Sequence, residues 1–244
     1  MNDLTQQRIL VTGAGSGLGA AIAARLVKAG ARVALLDIRA DSAERVALAT
    51  DPGGGATLAL GCDVGQAPQV QQSLDAVLDR WGGLDVLVNN AGTDVTASID
   101  EVDSAVWRKV IDTNLVGPFL LTKAALPMLR ASDGGRGGHI VNVASTASLR
   151  AWPNASAYHA SKWGLLGMGK ALHAELRPQG VRVTTLIVGG MRTPFLLDRF
   201  PDIDTRTLQD PANVAEAVGF VLAMPRGTVI AEIMVLPDAE TSWP

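Results

Sequence analysis

RILVTGAGSGLG, residues 8–19, passes from a run of strand character directly into glycines at 13, 15, 17 and 19. Such a turn between a buried strand and a helix lets the backbone approach a pyrophosphate. The helix N-terminus that follows offers free N–H groups and a dipole that favours an anion. Glycines often do no more than close a turn, so the motif alone is weak evidence. Its position after the first apolar run raises its weight, and Gly13, Gly15, Ser16, Gly17, Leu18 and Gly19 become the candidate phosphate cradle.

The rest of the chain repeats the strand-then-helix alternation. Strands are predicted over 8–12, 32–37, 57–62, 85–89, 139–143, 181–188 and 228–236, and helices over 18–29, 70–80, 104–130 and 155–176. Several strands are apolar almost throughout, as strands buried on both faces are. The alternation predicts a doubly wound, Rossmann-type α/β fold, a parallel sheet of about seven strands with helices on both faces. No internal repeat or long linker divides the chain. One dinucleotide-binding and catalytic domain is expected over 1–244, with a short substrate lid near 190–210 and a tail over 237–244.

Composition narrows the function. A net charge of −3, with basic residues scattered rather than clustered, points away from nucleic acid. No apolar stretch approaches the ~20 residues of a membrane span, and no leader-like segment precedes the first strand. The single cysteine, Cys62, cannot form an internal disulfide, which fits a reducing cytoplasm. His139, His159 and His173 have neither the spacing nor the acidic company of a metal site, so no metal is expected.

Further polar residues fall at the predicted C-terminal strand ends, where open α/β sheets bind ligands. Asp37 closes the second strand, eighteen residues past Gly19, where an acid accepts hydrogen bonds from the adenosine ribose. It favours NAD over NADP, although Arg39 nearby could accommodate a 2′-phosphate. Asp63 follows the third strand and Asn90 the fourth. Either alone reads as a turn former; with Asp37 and the glycine turn they outline an elongated nucleotide site.

The motifs TGAGSGLG (12–19), Asp63-Val64, NNAG (89–92), Asn114, Ser145, YHASK (158–162) and VGGMRTP (188–194) recur here in a specific order and spacing. In that combination the chain resembles the short-chain dehydrogenase/reductase family over nearly its whole length. The resemblance implies a nicotinamide cofactor and a catalytic set falling on Asn114, Ser145, Tyr158 and Lys162. It also implies cofactor contacts from Val64, Ala91, Gly92, Gly189, Met191 and Thr193, with Lys162 holding the nicotinamide ribose.

The chemistry gives those residue types a reason. Tyr158 is the chain's only tyrosine. Oxidising an alcohol needs a base for the hydroxyl proton and reducing a ketone needs an acid, yet a free phenol has a pKa of about 10. Lys162, four residues on, shares a helix face with Tyr158, and its ammonium, together with the positive nicotinamide of NAD⁺, is expected to lower that pKa. Ser145, thirteen residues before Tyr158, is placed to polarise the substrate oxygen. Pro118, lacking an N–H, deprives the Asn114 carbonyl of its helical partner. The family resemblance implies that this carbonyl holds a water of a proton relay.

Two segments depart from the family pattern. Val188 stands where a proline is usual, and the end VLPDAETSWP lacks the glycine pair of many relatives. The tail, with Trp243, is expected to pack on a neighbouring subunit of a homotetramer or homodimer. The mostly apolar lid residues Phe195, Leu196, Leu197 and Phe200 point to a small-molecule secondary alcohol or ketone; Arg150, Arg192 and Arg199 leave a carboxylate open. An NAD-dependent alcohol dehydrogenase or ketone reductase is the leading reading. The alternatives are an NADPH-dependent reductase of carbonyl or oxoacyl intermediates and a non-catalytic nucleotide sensor.

Overall fold

A computed structural model describes residues 4–239. The strands are β1 Arg8–Thr12, β2 Arg32–Asp37, β3 Thr57–Gly61, β4 Val86–Asn89, β5 His139–Ser145, β6 Arg182–Val188 and β7 Glu232–Val235. They form one parallel sheet in the order β3-β2-β1-β4-β5-β6-β7. The helices are α1 Gly17–Lys28, α2 Ala40–Thr50, α3 Ala67–Trp81, α4 Ser104–Ile111, α5 Gly117–Gly135, α6 Ser156–Leu176, α7 Pro194–Leu197 and α8 Pro211–Leu222.

The apolar runs read as they should for a sheet covered on both sides. Along β1, Ile9 and Val11 join one core with Leu18, Ile22 and Leu26 of α1 and Val214 and Val218 of α8. Leu10, between them, faces the other core, with Leu74 and Val77 of α3 and Leu121 and Leu129 of α5. Alternate residues thus feed opposite layers. Each fully buried Leu or Ile contributes roughly 1.5–3 kcal/mol of transfer free energy.

Helices α7 and α8 fall outside the expected helices, and three further differences have local causes. Helix α2 was not anticipated, because its buried face consists of Ser42, Ala43 and Ala47, too small to write an apolar stripe. The predicted helix over 104–130 opens in the middle into a π-helical turn, Asp112–Val116, where the Gly117 N–H donates to the Asp112 carbonyl. Pro118 removes the donor that would close an ordinary turn on Asn114. Strand β7 is shorter than 228–236, and it borders the sheet with mixed exposure. The tail from Glu240 onward, with Trp243, lies outside the described residues.

At the N-terminal end of the sheet Asp85 ties three elements together. One carboxylate oxygen accepts from the backbone N–H of Arg8 at 2.9 Å and from its Nε at 2.8 Å. The other accepts from Arg8 Nη2 at 2.7 Å and from the Ser132 hydroxyl of α5 at 2.7 Å. Burial alone would push the Asp85 carboxyl up; the Arg8 guanidinium and backbone N–H and the Ser132 hydroxyl outweigh it and hold it below the usual range. A carboxylate with a lowered folded-state pKa contributes stability that is present above the unfolded value, about 3.9, and lost as pH falls through the folded value. Asp85→Asn is therefore expected to lower unfolding free energy by roughly 1–3 kcal/mol near neutrality, between the limits for exposed and buried pairs. The difference from wild type should narrow below about pH 4. Urea titrations across that range check it; an equal loss at every pH would contradict the assignment.

Candidate active site

The chain reverses its direction of growth across the sheet between β1 and β4, and a cleft opens beyond the strand ends there. One side chain joins the two strand ends. The Thr12 hydroxyl accepts from the amides of Asn90 and Ala91 at 3.0 and 2.9 Å. In return Asn90 Nδ2 donates to the Thr12 carbonyl at 2.8 Å. Gly13 has φ +64° and lies so close to this loop that a Cβ would stand 2.8 Å from Ala91 Cα. A side chain is excluded there by both conformation and space.

The cleft measures about 440 Å³. Its wall includes most of the sequence-predicted residues: Gly13, Ser16, Gly17, Leu18 and Gly19 from the turn, then Asp37, Asp63, Val64, Asn90, Ala91 and Gly92. Tyr158, Lys162, Met191 and Thr193 line its other end. Four predicted residues do not line it. Gly15 is turned to Asp37, to whose Oδ2 it donates its N–H at 2.9 Å. Gly189 gives its N–H to the Val235 carbonyl at 3.0 Å, which ties the chain just after β6 to the end of β7, and the neighbouring Val188 lines the wall. Asn114 is fully buried, and Ser145 is 8% exposed at the end of β5.

The wall suits an anionic, elongated ligand. Helix α1 starts at Gly17 from an extended Ser16 with no side-chain cap and no acid in its first turn, which leaves its first N–H groups for an outside acceptor. Asp37 accepts from Gly15 and, through Oδ1, from the Arg39 amide at 3.0 Å. A carboxylate has about four acceptor sites, so two remain for hydroxyls. Asp63 binds the Gly65 amide and, at 2.6 Å, the Lys109 ammonium. These donors and acceptors fit a dinucleotide laid from Asp37 to Tyr158.

At the other end α6 carries Tyr158 and Lys162. Lys162 Nζ donates to the Val143 carbonyl at 2.9 Å and lies 5.7 Å from the centre of the Tyr158 ring. Asn114 is built into the support of this pair. Its Oδ1 accepts from the Thr93 amide and its Nδ2 donates to the Thr93 carbonyl, each at 2.8 Å. The same Nδ2 donates to the Ser161 hydroxyl, which in turn donates to the Tyr158 carbonyl. The loop after β4 is thereby fastened to the turn of α6 that bears Tyr158.

Burial dominates the electrostatics of this end. Burial pushes the Tyr158 phenol up to about 12, reinforced by Asp94 and opposed by the Ser145 hydroxyl and Arg199. Burial also pulls the Lys162 ammonium down to about 8, against the pull of Asp94. The ammonium engages a backbone carbonyl and does not offset the desolvation of the phenol. In this state Tyr158 is a protonated acid, and Lys162 remains mostly charged near neutrality.

Several contacts of this end, though not all of the residues that make them, go beyond the sequence reading. His159 is buried and bonds the Ala147 carbonyl through Nδ1 at 3.0 Å, while its Nε2 accepts from the Trp152 amide at 3.1 Å. Those bonds fix the loop between β5 and α6. Phe195 of α7 packs on Tyr158 with ring centres 5.7 Å apart. Asp94 meets Arg199 at 2.6 Å. No short-range pattern marks these contacts, because they join segments far apart in sequence. Among the described residues no group of three or more His, Cys, Asp or Glu side chains could hold a metal, and no helix is long and apolar enough to cross a membrane.

A family profile described as short chain dehydrogenase matches residues 7–204. D-threitol dehydrogenase of Mycolicibacterium smegmatis is 44% identical over 179 residues, covering 72% of this chain and 67% of that protein. A 3-ketoacyl-(acyl-carrier-protein) reductase from Brucella melitensis, solved with NADH, superposes with a TM-score of 0.87 at 31% identity, over 97% of this chain and 99% of its own. A metagenomic short-chain oxidoreductase solved with NADP gives 0.84 at 31% identity, over the same 97% and 99%. With a Rossmann-type parallel sheet and a nucleotide-shaped cleft at its reversal point, the chain belongs to the short-chain dehydrogenase/reductase family of oxidoreductases.

Proposed function

We propose that this protein is an NAD(H)-dependent oxidoreductase that interconverts a neutral secondary alcohol and its ketone, with the whole chain acting as one binding and catalytic unit. The observation that carries the reading is that Tyr158 and Lys162 border the same cleft as the glycine turn and Asp37. A nicotinamide dinucleotide held along that cleft supplies the hydride acceptor or donor. Asp37, placed as an acceptor at the far end, favours a free ribose hydroxyl over a 2′-phosphate. Relatives of known structure hold NADH in one case and NADP in another, so Asp37 is the residue on which the NAD reading rests.

Tyr158 Oη is the atom at which the proton moves. As a buried acid it donates to the forming alkoxide during ketone reduction. In the oxidative direction it must first lose its proton, which positive charge nearby favours. Ser145, hydrogen-bonded to Tyr158, holds the substrate oxygen beside the phenol. Lys162 carries the positive charge of this end, and Asn114 holds α6 in register through Ser161. The π-helical turn at Asn114 supports a relay role for its carbonyl.

The lid supports a neutral substrate. Phe195 lines the cleft, and two of the three arginines named for a carboxylate, Arg192 and Arg199, are engaged. Arg192 donates to the Leu208 carbonyl at 2.6 Å, and Arg199 pairs with Asp94. The structural likeness to a 3-ketoacyl-(acyl-carrier-protein) reductase favours the second reading, reduction of an oxoacyl intermediate. Exposed Phe119, Trp163 and Phe220 offer apolar surface for a homodimer or homotetramer, and the lone Cys62 fits a cytoplasmic setting.

Two outcomes test this. Tyr158→Phe should keep the thermal midpoint and the affinity for NAD⁺ while kcat falls by roughly 10²–10⁴-fold; near-normal turnover would sink the proton-transfer role. Titration with the two cofactors should give tighter binding of NAD⁺ than of NADP⁺ in wild type. Asp37→Ser should erase that preference, and a preference unmoved by the substitution would show that Asp37 does not set it.

A further inference from the structure

The loop after β4 and the lid are joined by a chain of contacts that ends on Tyr158. Asp94 Oδ2 lies 2.6 Å from Arg199 Nη1, with the two side chains only 10% and 22% exposed. The approach is off the N–H axis, so this is an ion pair more than a directional hydrogen bond. Asp94 Oδ1 is held by the Val95 amide at 2.7 Å. Arg199 donates through Nε, at 2.9 Å, and Nη2 to the Phe195 carbonyl, one turn back. Its guanidinium also lies over the Phe195 ring, 4.0 Å from the ring centre. The same ring packs on Tyr158 and shares a small apolar cluster with Ala147 and Ala155.

We propose that Asp94 and Arg199 are a positioning and specificity pair: they latch α7 over Tyr158, and Asp94 cancels the guanidinium charge at the substrate end, so that a neutral substrate is selected over a carboxylate-bearing one. The substrate half of this rests on the oxidoreductase reading above. A pair buried this far costs desolvation on both partners and is poor evidence of added stability. It does fix geometry, because breaking it leaves a buried charge unmatched. Burial pushes the Asp94 carboxyl up in spite of Arg199, and both groups act on the Tyr158 phenol, in opposite directions. The charged or titratable groups sharing this end are Asp94, Arg199, Asp198, His159, Tyr158 and Lys162. Removing the Asp94 charge therefore leaves Arg199 without its ion-pair partner beside the reacting position. Lost with it is the tie between the lid and the loop that Asn114 fastens to α6.

The test uses Asp94→Asn, which keeps size and the amide contact, and the charge-swapped pair Asp94→Arg with Arg199→Asp. Amide hydrogen exchange over residues 194–200, with the amides of β5 as the internal measure of intact folding, reads the latch without substrate or cofactor. We expect exchange in the lid to speed up about tenfold or more in Asp94→Asn and to slow again in the swapped pair, with β5 unchanged. Unaltered lid exchange in Asp94→Asn overturns the latch. The ratio of kcat/KM for a neutral ketone to that for the same skeleton bearing a carboxylate reads the charge. It should fall about tenfold in Asp94→Asn, mainly through KM, and an unmoved ratio overturns the specificity role. A wild-type protein that takes hydride from no alcohol and delivers it to no ketone would refute the oxidoreductase reading, and the exchange experiment would still decide the latch.

Discussion

The hydroxyl of Thr12 accepts two amide N–H groups from the start of the loop after β4, and the whole site hangs on that junction. A parallel sheet whose strand order reverses must separate two adjacent loops at their C-terminal ends. Here the separation is bridged at the bottom by a side chain that leaves the upper edges free. Buried amides without a partner cost roughly 1–3 kcal/mol each, so the arrangement is held firmly. It sets where the glycine turn ends, where Asn90 and Gly92 stand, and how Thr93 reaches Asn114.

From that junction the two ends of the cleft differ in their physics. The nucleotide end is built from backbone: an uncapped helix start, a loop at positive φ, and a carboxylate, Asp37, already oriented by two amides. Such a surface suits an anion and a ribose with little rearrangement. The substrate end is built from buried ionisable side chains in a medium where their charges interact strongly. Tyr158, Lys162, Asp94 and Arg199 share it, and burial moves the phenol and the ammonium toward their neutral forms. A cationic group brought near the phenol would act against that displacement, which gives the reacting centre a means of coupling ligand binding to proton transfer.

The layers of the fold were legible because they depend on short-range pattern. Apolar runs at 8–12 and 139–143 announce strands covered on both faces, and Pro118 announces the break in the helix that carries Asn114. The helix α2 was invisible, since a buried face of Ser42, Ala43 and Ala47 has no hydrophobic period. Among the candidate site residues, Asp37, Asp63 and Asn90 at strand ends and Tyr158 and Lys162 at helix spacing all line the cleft. The motif does not announce that the Gly189 N–H bonds the Val235 carbonyl at the end of β7. Asp94, Arg199 and Phe195 were not recognised as a connected set, because their contacts join the loop after β4 to the lid. Helix spacing brings Lys162 near Tyr158, but the burial that raises the phenol is a property of the packed structure and has no short-range signature.

The most direct measurement is the near-ultraviolet absorbance of reduced nicotinamide when the protein is mixed with NAD⁺ and a panel of neutral secondary alcohols, repeated with NADP⁺. The account predicts that at least one alcohol produces reduced cofactor, faster with NAD⁺ than with NADP⁺. A protein that binds the cofactor but reduces neither form, with the alcohols or in reverse with their ketones, would contradict it.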